Sequence, residues 1–143
     1  KFVYAKGAGA GKEERIGEVL YNRGVVNSVF VAEAIRVAQK KFGVKQVTGE
    51  QVRYGFENLN IDAARWKELG LAGFMGDVKV TCADHEGGGG VVFIQKWDAN
   101  AKTWSRTGSD KGYTPMRDVV RPLVEADAAA FAKENSITPR DCG

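Results

Sequence analysis

The chain contains a run of four consecutive glycines: Gly87, Gly88, Gly89 and Gly90. Before the run, apolar residues recur mostly at helical spacing, and after it they alternate as in a β-hairpin. Glycines add no side-chain packing and lose much conformational entropy when ordered, so the run suits neither a helix nor a central strand. The sequence therefore predicts a join between two structural units, either an ordinary surface loop or a flexible connection between lobes.

The overall composition is that of a single soluble domain. The 143 residues are 43% hydrophobic and 27% charged, and no apolar stretch approaches the roughly 18 residues that a membrane-spanning helix needs. The net charge is +3, but lysines and arginines are scattered among acidic residues without a basic block. This pattern argues against nucleic-acid binding. No segment has the layout of a signal peptide, which a mature or truncated chain would lack in any case.

Cys82 and Cys142 are the only two cysteines in the sequence. They are too few and too far apart for a zinc site, so they are either two buried free thiols or one disulfide. The disulfide is favoured, because a covalent bond close to the end of the chain would order a terminus that otherwise frays. It would stabilise the fold by roughly 4 kcal/mol in the chain-entropy model and would imply an oxidising compartment.

A long helix is predicted from about Glu13 to Phe42, ended by Gly43. Its middle, residues 25–32, is apolar almost all round and should be covered by neighbours on more than one side. Arg23 falls on the apolar face near the N-terminal end of the helix, where it either forms structural hydrogen bonds or lines a cleft. Residues predicted to face inward are Ile16, Leu20, Val31, Ala34 and Ala38, and those predicted to face outward are Glu18, Glu33, Arg36 and Lys40.

Two shorter helices have clear start signals. Thr48 and Gln51 form a capping-box pattern that opens a helix through about Leu59, and Asp62 caps a helix that ends near Leu69. The remaining predicted elements are a short strand within 74–81, a hairpin that pairs 91–97 with 103–106, irregular chain at 113–115, and a final helix over about 123–135.

Catalytic chemistry has little support in the sequence. The single histidine, His85, could act as a general base, or with Cys82 as a thiol and base pair, only if the cysteine were reduced and exposed. No further metal ligands occur at suitable spacing. We therefore expect no enzyme activity, no metal and no cofactor.

Several short blocks occur in a fixed order, and together they resemble a known family. The blocks are Tyr21-Asn22-Arg23-Gly24-Val25-Val26, Glu33-Ala34-Ile35-Arg36, Thr48-Gly49-Glu50-Gln51-Val52-Arg53 and Asp84-His85-Glu86-Gly87-Gly88-Gly89, followed by Trp97 and Trp104. In this order they resemble the C-terminal part of a type I periplasmic solute-binding protein, the leucine/isoleucine/valine-receptor family of ABC importers. The resemblance covers nearly all of the chain and omits the front part of the family's fold.

The resemblance implies an α/β fold of two lobes joined by three crossing segments. Residues 1–86 would then form the late portion of the N-terminal lobe, 87–90 a glycine-rich interlobe hinge, and 91–143 a portion of the C-terminal lobe with the hairpin and final helix. The exposed apolar surface would be covered by the missing N-terminal part of the same protein or by a self-association partner.

The function implied is that of an extracytoplasmic, bacterial-type periplasmic receptor. It would capture an amino acid or related small carboxylate by hinge closure and deliver it to the membrane subunits of an ABC importer. Alternatives are a ligand-sensing regulatory domain of the same fold and an enzyme fragment that uses Cys82 and His85. The residues expected to contact ligand are Ile16, Gly17, Leu20 and Tyr21 by the resemblance, and Arg23 from its position on the helix.

Overall fold

The computed structural model describes residues 4–85, 91–92, 94–107 and 114–142. Chain contacts divide the protein into two units, Lys1–Leu59 and Asn60–Gly143. The helices are α1 Val19–Phe42, α2 Gly49–Glu57, α3 Ala63–Glu68 and α4 Arg117–Glu134. The strands are β1 Asn60–Ile61, β2 Val78–Lys79, β3 Val91–Val92, β4 Ile94–Asp98, β5 Thr103–Thr107 and β6 Thr114–Pro115.

Helix α1 begins later than the sequence pattern predicts. Residues Glu13–Arg15 form a single 3₁₀ turn, and Gly17 then adopts the left-handed conformation with φ +92°. This break prevents a continuous helix from Glu13, so α1 starts at Val19. The predicted end is confirmed, because Gly43 adopts φ +66° and its N–H donates to the carbonyl oxygen of Gln39.

The buried face of α1 differs from the predicted one. Ala34 and Ala38 are fully buried as expected, but Glu33, predicted to face outward, is only 3% exposed. Its carboxylate accepts hydrogen bonds from Arg36, with Nη2 at 2.8 Å, which reduces the cost of burying a charge. Three residues predicted to face inward are exposed instead: Ile16 (45%), Leu20 (72%) and Val31 (45%).

The capping box of α2 is confirmed atom by atom. The Thr48 hydroxyl accepts a hydrogen bond from the Gln51 N–H at 3.3 Å, and the Gln51 side chain accepts one from the Thr48 N–H at 2.9 Å. These two bonds satisfy N–H groups that have no partner within a helix. Helix α2 packs against α1, and the two helices form most of the first unit.

The second unit has a small core built around Trp66 of α3. Strands β1 and β2 pair antiparallel, and Ile61 lies opposite Val78. Ile61, Trp66 and Val78 are buried, and the indole Nε1 of Trp66 donates to the carbonyl oxygen of Gly76 at 3.0 Å. Asp62 caps α3 as predicted, since its carboxylate accepts from the Arg65 N–H at 2.8 Å.

The predicted hairpin is present as β4 and β5, but its first strand begins at Ile94 and not at Val91, because Val91–Val92 pairs with another strand. Trp97 and Trp104 are opposite each other, and their ring centroids lie 5.3 Å apart. The carboxylate of Asp98 closes the turn by accepting from two backbone N–H groups. The irregular chain predicted at 113–115 is wrong in part, because Thr114–Pro115 pairs antiparallel with Val91–Val92.

Helix α4 starts six residues before the predicted start at Leu123. Pro122 has no backbone N–H to donate, yet it lies inside the helix. None of the 18 residues of α4 is buried. Ser136 adopts φ +53° just beyond the helix, and the Ile137 N–H donates to Ala132 across it, which is the Schellman pattern.

The fold is thus a mixture of helices and small sheets, compatible with the predicted α/β class. In the described ranges the sheets are three antiparallel pairs, β1 with β2, β3 with β6, and β4 with β5. The predicted domain boundaries at 86/87 and 90/91 border a segment outside the described residues and stay a prediction.

Candidate functional site

The residues predicted to contact ligand lie just before and within the first turns of α1. Ile16 and Gly17 precede the helix, and Leu20, Tyr21 and Arg23 lie within it. Leu20 and Arg23 are exposed, whereas Tyr21 is half-buried. These five residues are therefore close in sequence, within positions 16–23. Their assignment to a ligand stays a prediction.

Tyr21 owes its partial burial to packing within the chain. Its ring centroid lies 6.4 Å from that of Tyr4, whose hydroxyl donates to the carbonyl oxygen of Ala10 at 3.1 Å. The Tyr4 ring covers Gly9 so closely that a Cβ there would lie 2.5 Å from it. Nearby, the amide of Asn22 donates to the carbonyl oxygen of Gly17 at 2.9 Å. These contacts fold the segment before α1 back onto the helix.

A second group of polar side chains converges on Asp84 in the second unit. One carboxylate oxygen accepts from Nη2 of Arg117 at 2.6 Å, and the other accepts from Nη1 of Arg121 at 3.3 Å. Arg121 also donates to the carbonyl oxygen of Ala83 at 3.4 Å. The turn is fixed by Thr81, whose backbone N–H donates to the Asp84 carbonyl oxygen and whose hydroxyl accepts from the Asp84 N–H.

Sequence reasoning missed Arg117 and Arg121 because they lie 33 and 37 residues from Asp84. The available signal was their spacing of four, which places two cations on one side of a helix. That signal was lost because the helix was predicted to start at Leu123. Charge-assisted hydrogen bonds to a carboxylate are a common role for arginine, and here one from each of the two arginines attaches the start of α4 to Asp84.

The disulfide is confirmed. Cys82 and Cys142 are bonded, with their Cα atoms 5.6 Å apart and a sequence separation of 60 positions. Cys82 lies in the same turn as Asp84, so one short segment holds both the disulfide and the ion pairs. A bonded cysteine has no thiolate, so the bonded form does not offer the Cys82 nucleophile that the enzyme alternative with His85 requires.

The remaining features are the predicted hinge glycines, possible metal ligands and possible membrane-spanning helices. Across the described ranges, no group of three or more histidine, cysteine, aspartate or glutamate side chains is arranged to hold a metal ion. The predicted hinge glycines Gly87, Gly88, Gly89 and Gly90 lie outside the described residues. Within the part of the chain that is described, no helix has the length and apolarity that crossing a bilayer requires.

Comparison with known proteins gives one informative relative. No protein-family model and no curated protein sequence matches the chain. A solved structure described as an ABC transporter permease from Pseudomonas fluorescens group superposes with a TM-score of 0.75 and is 42% identical. The match covers 94% of this chain and 31% of that chain, so this protein spans about a third of the relative's length.

This relative contradicts the function that the family resemblance implied. A permease is the membrane component of an ABC transporter, whereas the expected function was that of an extracytoplasmic receptor that closes on a captured solute. The prediction of a solute receptor is therefore wrong. It depended on the order of short sequence blocks, and such blocks reflect local helix and turn chemistry more directly than function.

Proposed function

We propose that this chain is a portion of an ABC transporter component and that it packs against further polypeptide of the transporter. The observation that carries the proposal is the 42% identity to an ABC transporter permease over 94% of this chain. Identity at that level, together with a TM-score of 0.75, supports a common architecture for the matched part. Two exposed surfaces, one on α1 and one on α4, support the proposal that the chain packs against further polypeptide.

The first such surface is a shallow depression on α1, which we call the α1 patch. It is lined by Asn27, Ser28, Val31, Ala32 and Ile35. These side chains carry no charge, and Val31 is 45% exposed. Small residues such as Ser28 and Ala32 let a second backbone approach closely. An uncharged, partly apolar helix face of this kind is typical of an interface with another polypeptide.

The second surface is the apolar side of α4. It consists of large side chains that are between 41% and 68% exposed: Val119, Val120, Leu123, Val124 and Phe131. Exposed apolar side chains gathered on one side of a helix are typical of a surface that another polypeptide covers.

The disulfide supports a position on the extracytoplasmic side of the membrane. Disulfides persist in oxidising compartments and are rare in the reducing cytosol. The Cys82 to Cys142 bond joins two distant segments of the second unit. The proposed location therefore agrees with the periplasmic or other extracytoplasmic compartment expected from the sequence.

The two-lobed α/β arrangement remains our proposal for the complete fold to which this chain contributes. The helices and short antiparallel sheets are compatible with it. Further polypeptide would supply the strands that a larger sheet needs and would cover the α1 patch.

The test is purification of the tagged full-length protein from its own membranes in a mild detergent. We expect an ATP-binding cassette subunit to co-purify in a constant ratio and to be identified by peptide mass spectrometry. Val31→Asp places a charge in the α1 patch and should lower that ratio severalfold. The matched control is Val44→Asp, because Val44 is similarly exposed (38%) but lies beyond α1.

Two results would contradict the proposal. One is purification of the intact protein with no ATP-binding cassette subunit. The other is equal recovery of that subunit with Val31→Asp and with Val44→Asp.

A further inference from the structure

Helix α4 is attached at both of its ends to the same short segment, residues 82–84. At its start, Arg117 and Arg121 form ion pairs with the carboxylate of Asp84. Beyond its end, the chain continues to Cys142, which is bonded to Cys82. The helix, the tail that follows it and segment 82–84 therefore form a closed loop.

Burial of side chains contributes little to holding α4 in place. None of its residues is buried, and Leu123 and Phe131 are 68% and 58% exposed. The ion pairs to Asp84 are partly exposed, with the Arg117 side chain 34% and the Asp84 side chain 21% accessible. Partly exposed ion pairs contribute modestly to stability. The covalent attachment through Cys142 is therefore the stronger of the two.

We propose that the Cys82 to Cys142 disulfide is a redox latch that holds α4 against segment 82–84. When the bond is intact, the tail that follows α4 stays joined to Cys82. When it is reduced, the contacts that hold α4 to segment 82–84 are all noncovalent, and α4 and its tail open much more often. The inference depends on residues of this chain alone and is independent of the transporter assignment.

The chemistry of opening is thiol–disulfide exchange with a dithiol reductant. One thiolate of the reductant attacks a sulfur of the disulfide, forms a mixed disulfide and expels the other cysteine as a thiolate, which takes up a proton. The second thiol of the reductant then closes its own disulfide and releases the remaining cysteine. The protein gains two electrons and two protons, and the reductant loses them. Residue Cys142 is exposed whereas Cys82 is half-buried, so we expect the reductant to attack at Cys142.

Opening would change the surface that the second unit presents. The apolar residues of α4 and the tail 135–142 would no longer be fixed relative to segment 82–84. A partner that binds α4 in its latched position would lose affinity on reduction, because it would have to order the helix again when it binds.

Hydrogen exchange measured by mass spectrometry tests the latch on the full chain. We expect treatment with dithiothreitol to speed exchange of the α4 amides by roughly tenfold or more. The amides of α1 should be unchanged, because that helix belongs to the other unit. A variant with both Cys82→Ser and Cys142→Ser should exchange as fast as the reduced protein, with no further response to dithiothreitol.

The outcomes distinguish a disulfide that restrains α4 from one that stabilises the whole chain. Unchanged exchange of α4 after complete reduction, checked by alkylation of two thiols, would overturn the proposal. Equal acceleration across α1 and α4 would also overturn it, because the bond would then stabilise the whole chain. Asp84→Asn weakens the other attachment and should speed exchange at the start of α4 more in the reduced protein than in the oxidised one.

Discussion

Gly55 of α2 lies directly against the carbonyl oxygen of Ala34 in α1. A Cβ added at Gly55 would lie 2.0 Å from that oxygen and 2.7 Å from the carbonyl carbon. Both groups belong to backbone that cannot move independently of its helix, and Ala34 and Gly55 are buried. The crossing of the two helices therefore depends on glycine at this position.

Gly55→Ala should destabilise the first unit. The methyl group would force α2 away from α1, and such overpacking costs about 1–3 kcal/mol or more. Urea unfolding followed by circular dichroism measures the loss. The matched control is Gly24→Ala at an open position within α1, which should gain about 0.5–1 kcal/mol from helix propensity. Equal unfolding midpoints for the two variants would rule out the close contact.

Thr48→Ala should shorten or weaken α2. It removes the hydroxyl that accepts from the Gln51 N–H, and loss of an N-cap costs about 1 kcal/mol. Thr48→Ser keeps an acceptor in the same place and should retain most of the stability. Urea unfolding of the two variants compares these effects, and a serine variant as unstable as the alanine variant would disprove the capping role.

Trp66→Phe should destabilise the second unit by about 1–3 kcal/mol, because it leaves the Gly76 carbonyl oxygen without its indole donor and opens a cavity. The control is Trp104→Phe, at a position that is 60% exposed and retains an aromatic ring opposite Trp97. That change should cost less than about 0.5 kcal/mol. Thermal unfolding of both variants makes the comparison, and a larger effect at Trp104 would contradict the proposed core.

Ser136→Gly should stabilise α4. Ser136 adopts a left-handed conformation, which glycine reaches without steric cost, and the gain should be about 0.5–1 kcal/mol. Ser136→Val should have the opposite sign, because a β-branched side chain disfavours that conformation. Hydrogen exchange at the last turn of α4 reports both changes. Faster exchange in the glycine variant would count against the Schellman end.

Features set by neighbouring residues were predictable from the sequence. The caps at Thr48 and Asp62 and the helix end at Gly43 depend on contacts within a few residues, and all three are confirmed. The Trp97 and Trp104 hairpin is also local. The disulfide was favoured because the chain has only two cysteines and one of them lies near its end.

Features set by distant contacts were not predictable in the same way. Glu33 is buried in a helix that packs against α2, and Arg36 pairs with it. The helical pattern of α1 alone contains neither fact. Arg117 belongs to α4 although Pro122 follows it, and its partner Asp84 lies 33 residues away. Function was the least predictable, because the blocks that suggested a receptor are mostly local capping and turn patterns.

The most direct test of the transporter assignment is site-specific photo-crosslinking from the α1 patch. A photoreactive residue in place of Ser28 is introduced into the full-length protein in living cells, with the same residue in place of exposed Lys45 as the control. We expect the residue at position 28, but not the one at position 45, to crosslink to ABC transporter polypeptide outside these 143 residues, as identified by peptide mass spectrometry. Crosslinks from Ser28 only within the 143 residues, or to proteins unrelated to a transporter, would contradict it.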